Sequence, residues 1–165
     1  MKVMFDTSAL ITLSDVSRPN HAEAQRCYDA LVGENALMIT SAIAVSEYGV
    51  KGSVQDILGL QSIVVQDFNV LHAEIAASFK RYTMTVASGT IRTECNTRAI
   101  VTNDTQILAQ AHVEDVDYIL TEDERTFART ANALKDANLM SAKVILLRDN
   151  PVHAMGLMKQ SKLDL

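Results

Sequence analysis

Asp6, Glu47, Asp104 and Asp123 are the residues of this chain whose type and placement point most directly to chemistry. Asp6 follows the apolar run K-V-M-F, and Glu47 lies just beyond L-M-I-T. Asp104 opens an expected helix, and Asp123 comes two residues after Y-I-L-T. Their positions suggest an acidic pocket on the edge of an α/β sheet where ligands bind. Carboxylates held close together repel unless a cation joins them or some take up protons. Hard divalent cations such as Mg²⁺ prefer oxygen ligands, so a metal is the natural solution. A carboxylate-bound metal that activates water for attack on phosphorus is a common device of nucleases.

Each acid also has a plain structural role. Asp6, Asp104 and Asp123 are all suited to cap a helix N-terminus, and Asn103 competes with Asp104 for that task. Glu47 could be a surface residue, yet its spacing from Ile43 and Val50 puts it on an apolar helix face. Glu114, Asp115 and Asp117 fall in a loop before a strand, at the wrong end of the sheet. Glu122 and Glu124, which flank Asp123, read as solvated or as partners of a helix dipole.

The elements that must position these acids follow from apolar patterning. Short apolar runs at Lys2–Phe5, Leu37–Thr40, Ile63–Gln66, Tyr118–Leu120 and Lys143–Leu147 predict buried parallel strands. Helical stripes lie between them: Ala24, Cys27, Tyr28 and Leu31; then Leu71, Ile75, Phe79, Tyr82 and Val86; then Phe127, Ala131 and Leu134. Alternation of this kind predicts a three-layer α/β/α sandwich with a central parallel sheet of about five strands. Arg18-Pro19-Asn20 should break the first long connection into two helices. The polar stretch 87–103 is expected as a loop or partly helical insertion beside the active edge, and a short helix is expected after Pro151.

The chain has 165 residues, 48% of them hydrophobic, which fits one globular domain with a substantial core. It lacks an apolar run of membrane length and the pattern of a signal peptide, so a cytoplasmic location without membrane association is expected. On that expectation the sequon Asn103-Asp104-Thr105 has no meaning. Cys27 and Cys95 have no ligand-spaced neighbours and read as small structural thiols. The four scattered histidines match no zinc motif. A net charge of −5 argues against nonspecific binding to nucleic acid, so any grip on a phosphate backbone must come from local cations. Lys51, Arg92 and Arg98 are the candidates beside the active edge.

The ordered set D-T-S-A-L, a mid-chain helical Glu, D-x-x-I-L-A-x-A, and L-T-x-D resembles the PIN-domain ribonucleases, and among them the VapC-like toxins of toxin–antitoxin pairs. The resemblance spans roughly Met1 to Leu147, making residues 1–150 a PIN-like nuclease domain and 151–165 a C-terminal tail. The long stretch before the third acid, and the helix and strand after the fourth, depart from the family's compact pattern. On the resemblance, Asp6, Glu47, Asp104 and Asp123 form a catalytic, metal-binding quartet, with Thr7, Ser8 and Thr121 on the supporting polar positions. It implies an endoribonuclease dependent on Mg²⁺ or Mn²⁺ that hydrolyses RNA phosphodiester bonds. It further implies a cognate antitoxin, which would place an Arg or Lys near Asp6 and Asp123, and it makes a homodimer plausible. The preference for RNA over DNA rests on the resemblance alone, since this chemistry does not need the 2′-hydroxyl.

Alternatives stay open at this point. One is a PIN-fold RNA-processing nuclease without a toxin role. Another is a PIN fold kept as a binding module, against which the complete quartet argues. A receiver-like phospho-acceptor domain would use Asp67 after strand three, but it needs a lysine after strand five, and Lys143 precedes that strand. A haloacid-dehalogenase-type phosphatase would need D-x-D, which D-T-S-A does not supply.

Overall fold

The computed structural model describes residues 1–85 and 98–157, with the side chains of 98–101 excepted. Five short strands form one parallel sheet: β1 (Lys2–Phe5), β2 (Leu37–Ser41), β3 (Ile63–Gln66), β4 (Tyr118–Thr121) and β5 (Lys143–Leu146). The strand order is β3-β2-β1-β4-β5, and every pairing is parallel. β1 is central and fully covered: Val3, Met4 and Phe5 are all at 0% exposure. That burial on both faces is why its sequence is continuously apolar and not alternating.

The chain grows outward from β1 in one direction through β2 and β3. It then returns to lay β4 on the other side of β1. The two directions part between β1 and β4, and it is outside the carboxyl ends of strands at such a point that open α/β sheets bind their ligands. Phe5 and Leu120 are paired there, and Asp6 N–H donates to the Leu120 carbonyl at 3.1 Å.

Helices α1 (Thr7–Ser14), α2 (His21–Gly33), α3 (Ala42–Tyr48), α4 (Val54–Leu58), α5 (Val70–Thr85), α6 (Arg98–Val113), α7 (Arg129–Asp136) and α8 (Pro151–Ala154) flank the sheet, giving the expected α/β/α sandwich. α5, α6 and α7 pack on one another, and α2 packs on α1 and α8. α3 touches both α1 and α6 and so joins the two groups. Ser41 caps α3 by accepting from Ile43 N–H at 3.0 Å. Phe127, Ala131 and Leu134 are buried as their spacing predicts, and so are Ala24, Cys27 and Leu31. Burial pushes the Cys27 thiol up to about 12, which leaves it inert. Cys95 and Val86 lie outside the described residues.

Two expectations need correction. The buried face of α5 is His72, Ala76, Phe79 and Thr83, while Leu71 is 52% exposed and Ile75 and Tyr82 pack at the margin. The apolar stripe is offset because His72 is spent on capping: its Nδ1 accepts from Asn69 N–H at 3.0 Å, and Asn69 Oδ1 accepts from His72 N–H at 3.2 Å. Its Nε2 lies 3.2 Å from Glu114 Oε1, so the ring is buried with both nitrogens partnered.

The second correction concerns Asp104, which does not open its helix. α6 begins at Arg98, inside the stretch expected as a loop or partly helical insertion, so Asp104 lies within the helix. Thr and Asn lower helix propensity only modestly, and packing against α5 outweighs that cost. The polar side chains that suggested a loop have partners: Lys80 Nζ donates to Thr102 Oγ1 at 2.7 Å, and Asn103 is bonded to Glu47.

Candidate active site

Asp6 leaves the end of β1 and caps α1. Its Oδ1 accepts from Ala9 N–H at 2.7 Å, so the capping role and a place in the pocket coexist. Ser8 Oγ lies 2.9 Å from Oδ1, and Thr121 Oγ1 donates to Oδ2 at 2.7 Å. Even so, burial is the largest influence on this carboxyl and raises it to about 7. The bonds from Thr121, Ala9 and Ser8 pull the other way, and the nearby Asp123 adds a further push upward.

Thr121 ties β4 to this network. Its hydroxyl accepts from Asp123 N–H at 2.9 Å while donating to Asp6. Ser8 Oγ accepts from Glu122 N–H at 2.7 Å, so the turn after β4 is anchored to the first turn of α1. Glu122 was expected to be solvated or to partner a helix dipole. It is half-buried, and Asn20 Nδ2 donates to both of its carboxylate oxygens at 3.1 and 3.0 Å. Glu124 is exposed as expected and pairs with Arg148 at 2.7 Å.

Asp123 leads into a π-helical turn, Glu124–Ala128, closed by Ala128 N–H to the Asp123 carbonyl at 2.9 Å. Its Oδ1 caps that turn by accepting from Thr126 N–H at 2.9 Å, and its Oδ2 accepts from the Thr126 hydroxyl. Asp104 faces the same region from α6. Burial raises its carboxyl to about 8, and Asp123 pushes it further up, as do Asp6 and Glu47 to smaller extents. A hydrogen bond with Thr126 offsets part of this. Asp104 Oδ2 is buried and has no hydrogen-bond partner.

Glu47, on α3, completes the set. Its Oε1 accepts from Asn103 Nδ2 at 2.6 Å and its Oε2 accepts from the Thr7 hydroxyl. Asp104 thus feels Asp123, Asp6 and Glu47, and Asp6 feels Asp123, with Thr7, Ser8 and Thr121 bonded among these acids. The acids discounted from sequence are engaged elsewhere. Asp117 Oδ2 accepts from Lys2 N–H at 2.7 Å at the opposite end of β1, and Glu114 bonds His72.

Asn103, Thr126 and Asn20 were missed in the sequence. Thr126 sits three residues after Asp123, which is a capping spacing that could have flagged it. Asn103 and Asn20 carry no such signal. Of the candidate cations, Lys51 is exposed just beyond the end of α3. Arg98 begins α6, and Arg92 lies outside the described residues.

The donor chemistry suits a hard divalent cation. Every acid of the set offers oxygen, two carboxyls are raised by burial and mutual repulsion, and one buried oxygen is unspent. The spacing is looser: among the described residues no three or more His, Cys, Asp or Glu converge closely enough to hold an ion. The remaining oxygens are directed to hydroxyls, amides and backbone N–H groups.

Fold and pocket together define an open parallel α/β domain with acids gathered where its strand order reverses. The chain belongs to the PIN-domain family, whose model matches residues 3–133. Several solved structures share the fold. VapBC2 from Rickettsia felis, bound to a DNA fragment from its promoter, is 15% identical with a TM-score of 0.56, over 88% of this chain and 98% of that one. VapBC-1 from nontypeable Haemophilus influenzae is 14% identical with a TM-score of 0.57, over 90% and 99%. VapC20 from Mycobacterium tuberculosis, a sarcin-ricin loop cleaving toxin, is 11% identical with a TM-score of 0.50, over 73% and 89%. At such identities the likeness is one of fold. Comparison with curated proteins found no sequence match. No helix among the described residues is long and apolar enough to cross a membrane.

Proposed function

We propose that this protein is a metal-dependent endoribonuclease that hydrolyses RNA phosphodiester bonds and serves as the toxin of a toxin–antitoxin pair. The observation that carries the reading is the electrostatic coupling of the buried Asp104 to Asp123, Asp6 and Glu47 beside the switch point of a PIN domain. Asp6, Asp104 and Asp123, with Glu47 beside them, would hold Mg²⁺ or Mn²⁺. The ion would supply activation of water and stabilisation of charge on the phosphate.

The chain's own residues do the rest. Thr121 and Ser8 fix the Asp6 carboxylate, and Thr126 fixes Asp123, so few side chains must reorganise when a phosphate arrives. The reaction is a simple displacement. Water oxygen bonds to phosphorus, the bond from phosphorus to the leaving sugar oxygen breaks, and that oxygen takes up a proton. It needs no side-chain nucleophile.

The partner reading draws on the relatives: VapBC assemblies from two organisms share the fold, and VapC20 is named as a toxin that cleaves the sarcin-ricin loop. The antitoxin would insert an Arg or Lys near Asp6 and Asp123, since a guanidinium can bind a carboxylate through two hydrogen bonds. A homodimer is part of the same reading. The receiver-like alternative gains nothing, because Lys143 starts β5 and lies over the Tyr118 ring at the far end of the strands.

Purified protein should cleave RNA with Mg²⁺ or Mn²⁺ and stop on addition of EDTA. Asp123→Asn should slow cleavage by orders of magnitude with an unchanged circular dichroism spectrum. Equal rates in both proteins would trace the activity to a contaminant and sink the reading. Expression with and without the adjacent gene tests the toxin role. An active nuclease that leaves growth and bulk RNA intact when expressed alone would be an RNA-processing enzyme instead.

A further inference from the structure

We infer that Asn103 is a positioning residue of the pocket, acting through Glu47. The inference rests on the nuclease reading of the site and deepens it. Glu47 is the one acid of the four that lies on neither the edge of β1 or β4 nor the α6 helix; it is carried by α3. Its orientation depends on two side-chain bonds, one to each oxygen. Asn103 Nδ2 donates to Oε1 at 2.6 Å and the Thr7 hydroxyl donates to Oε2. Each donor is the chain neighbour of another acid: Thr7 follows Asp6 and Asn103 precedes Asp104. The clamp therefore sets Glu47 relative to both, and it links α1, α3 and α6 at one point.

The chemistry of the donors matters as much as their place. A Lys or Arg would hold Glu47 equally well, but its positive charge would oppose a divalent cation in the same pocket. An amide and a hydroxyl orient the carboxylate without adding charge. The amide is available because α6 starts at Arg98. Asn103 is thus inside the helix and half-buried, and it is not used as a cap. A mid-helix Asn is mildly unfavourable for the helix itself, which is consistent with a role in the pocket.

The test is Mn²⁺ binding to the metal-free protein by calorimetry, with RNA cleavage followed separately. Asn103→Leu removes the donor at similar size and should weaken Mn²⁺ binding about 10–100-fold, the usual effect of losing a group that orients a ligand. Asn103→Ala, which favours the helix, is the second variant should Leu disturb folding. The decisive comparison is with Glu47→Gln. If Asn103 acts through Glu47, the double variant binds Mn²⁺ about as weakly as Glu47→Gln alone. Independent, additive losses would overturn the inference, and so would wild-type affinity in both Asn103 variants, while leaving the nuclease reading standing. A wild-type protein that neither binds Mn²⁺ nor cleaves RNA would remove both.

Discussion

The hydroxyl of Thr121, at the end of β4, donates to Asp6 Oδ2, at the end of β1, across 2.7 Å. This bond spans the point where the strand order reverses and opposes the upward push that burial gives Asp6. Thr121→Val keeps the shape and removes the donor. Asp6 should then titrate above its present value of about 7, and Mn²⁺ binding at neutral pH should weaken about tenfold. Calorimetry at two pH values checks this. Wild-type affinity in the variant at both pH values would show that the hydroxyl does not tune Asp6.

Asp104 gives a stability prediction with a definite sign. Its carboxyl titrates near 3.8 unfolded and about 8 folded, so between those values the folded chain binds the extra proton. Stability of the metal-free protein should therefore fall as pH rises from about 4 towards 8. Asp104→Asn removes the charge and should stabilise the metal-free protein at pH 8. A gain on the order of 1 kcal/mol would raise Tm by roughly 2–4 °C. Thermal melts of both proteins at pH 5 and pH 8 decide it: a variant less stable than wild type at pH 8 contradicts the argument.

Metal binding should carry the opposite sign. An ion held by Asp6 and Asp104 displaces protons from groups raised to about 7 and about 8. Mn²⁺ affinity should then climb through pH 6–8, with proton release measurable in buffers of different ionisation enthalpy. Affinity that is flat across that range would mean these two carboxyls are not ligands.

The grip on RNA is expected from Lys51, Arg92 and Arg98, because an acidic chain needs local cations against a phosphate backbone. Replacing all three by Ala should weaken binding and flatten its dependence on salt. An unaltered salt slope would assign the contact to other cations.

Much of the scaffold was readable because burial on both faces leaves a plain mark. All five strands fall where apolar runs predicted them, with boundaries shifted by at most one residue. Asp6 and Asp123 were readable for a related reason: each stands within two residues of a strand's end, where the fold has little freedom to place it. Asp104 was harder. Its helix extends through Thr102 and Asn103, and tertiary packing against α5 decided that, not local propensity. Thr126 lies only three residues from its partner Asp123, but Asn103 and Asn20 were out of reach because their partners are set by three-dimensional closure. An amide that bonds a carboxylate from another helix leaves no periodic trace.

The return of the chain to place β4 beside β1 has a consequence for biosynthesis. Asp6 leaves the ribosome well before its Thr121 partner, which closes β4 (Tyr118–Thr121), and before Asp123, which follows that strand. At about 5–20 residues per second, the intervening segment takes on the order of ten seconds to translate. Throughout that interval the nascent chain holds an incomplete pocket, and a truncated product ending before β4 would never assemble one.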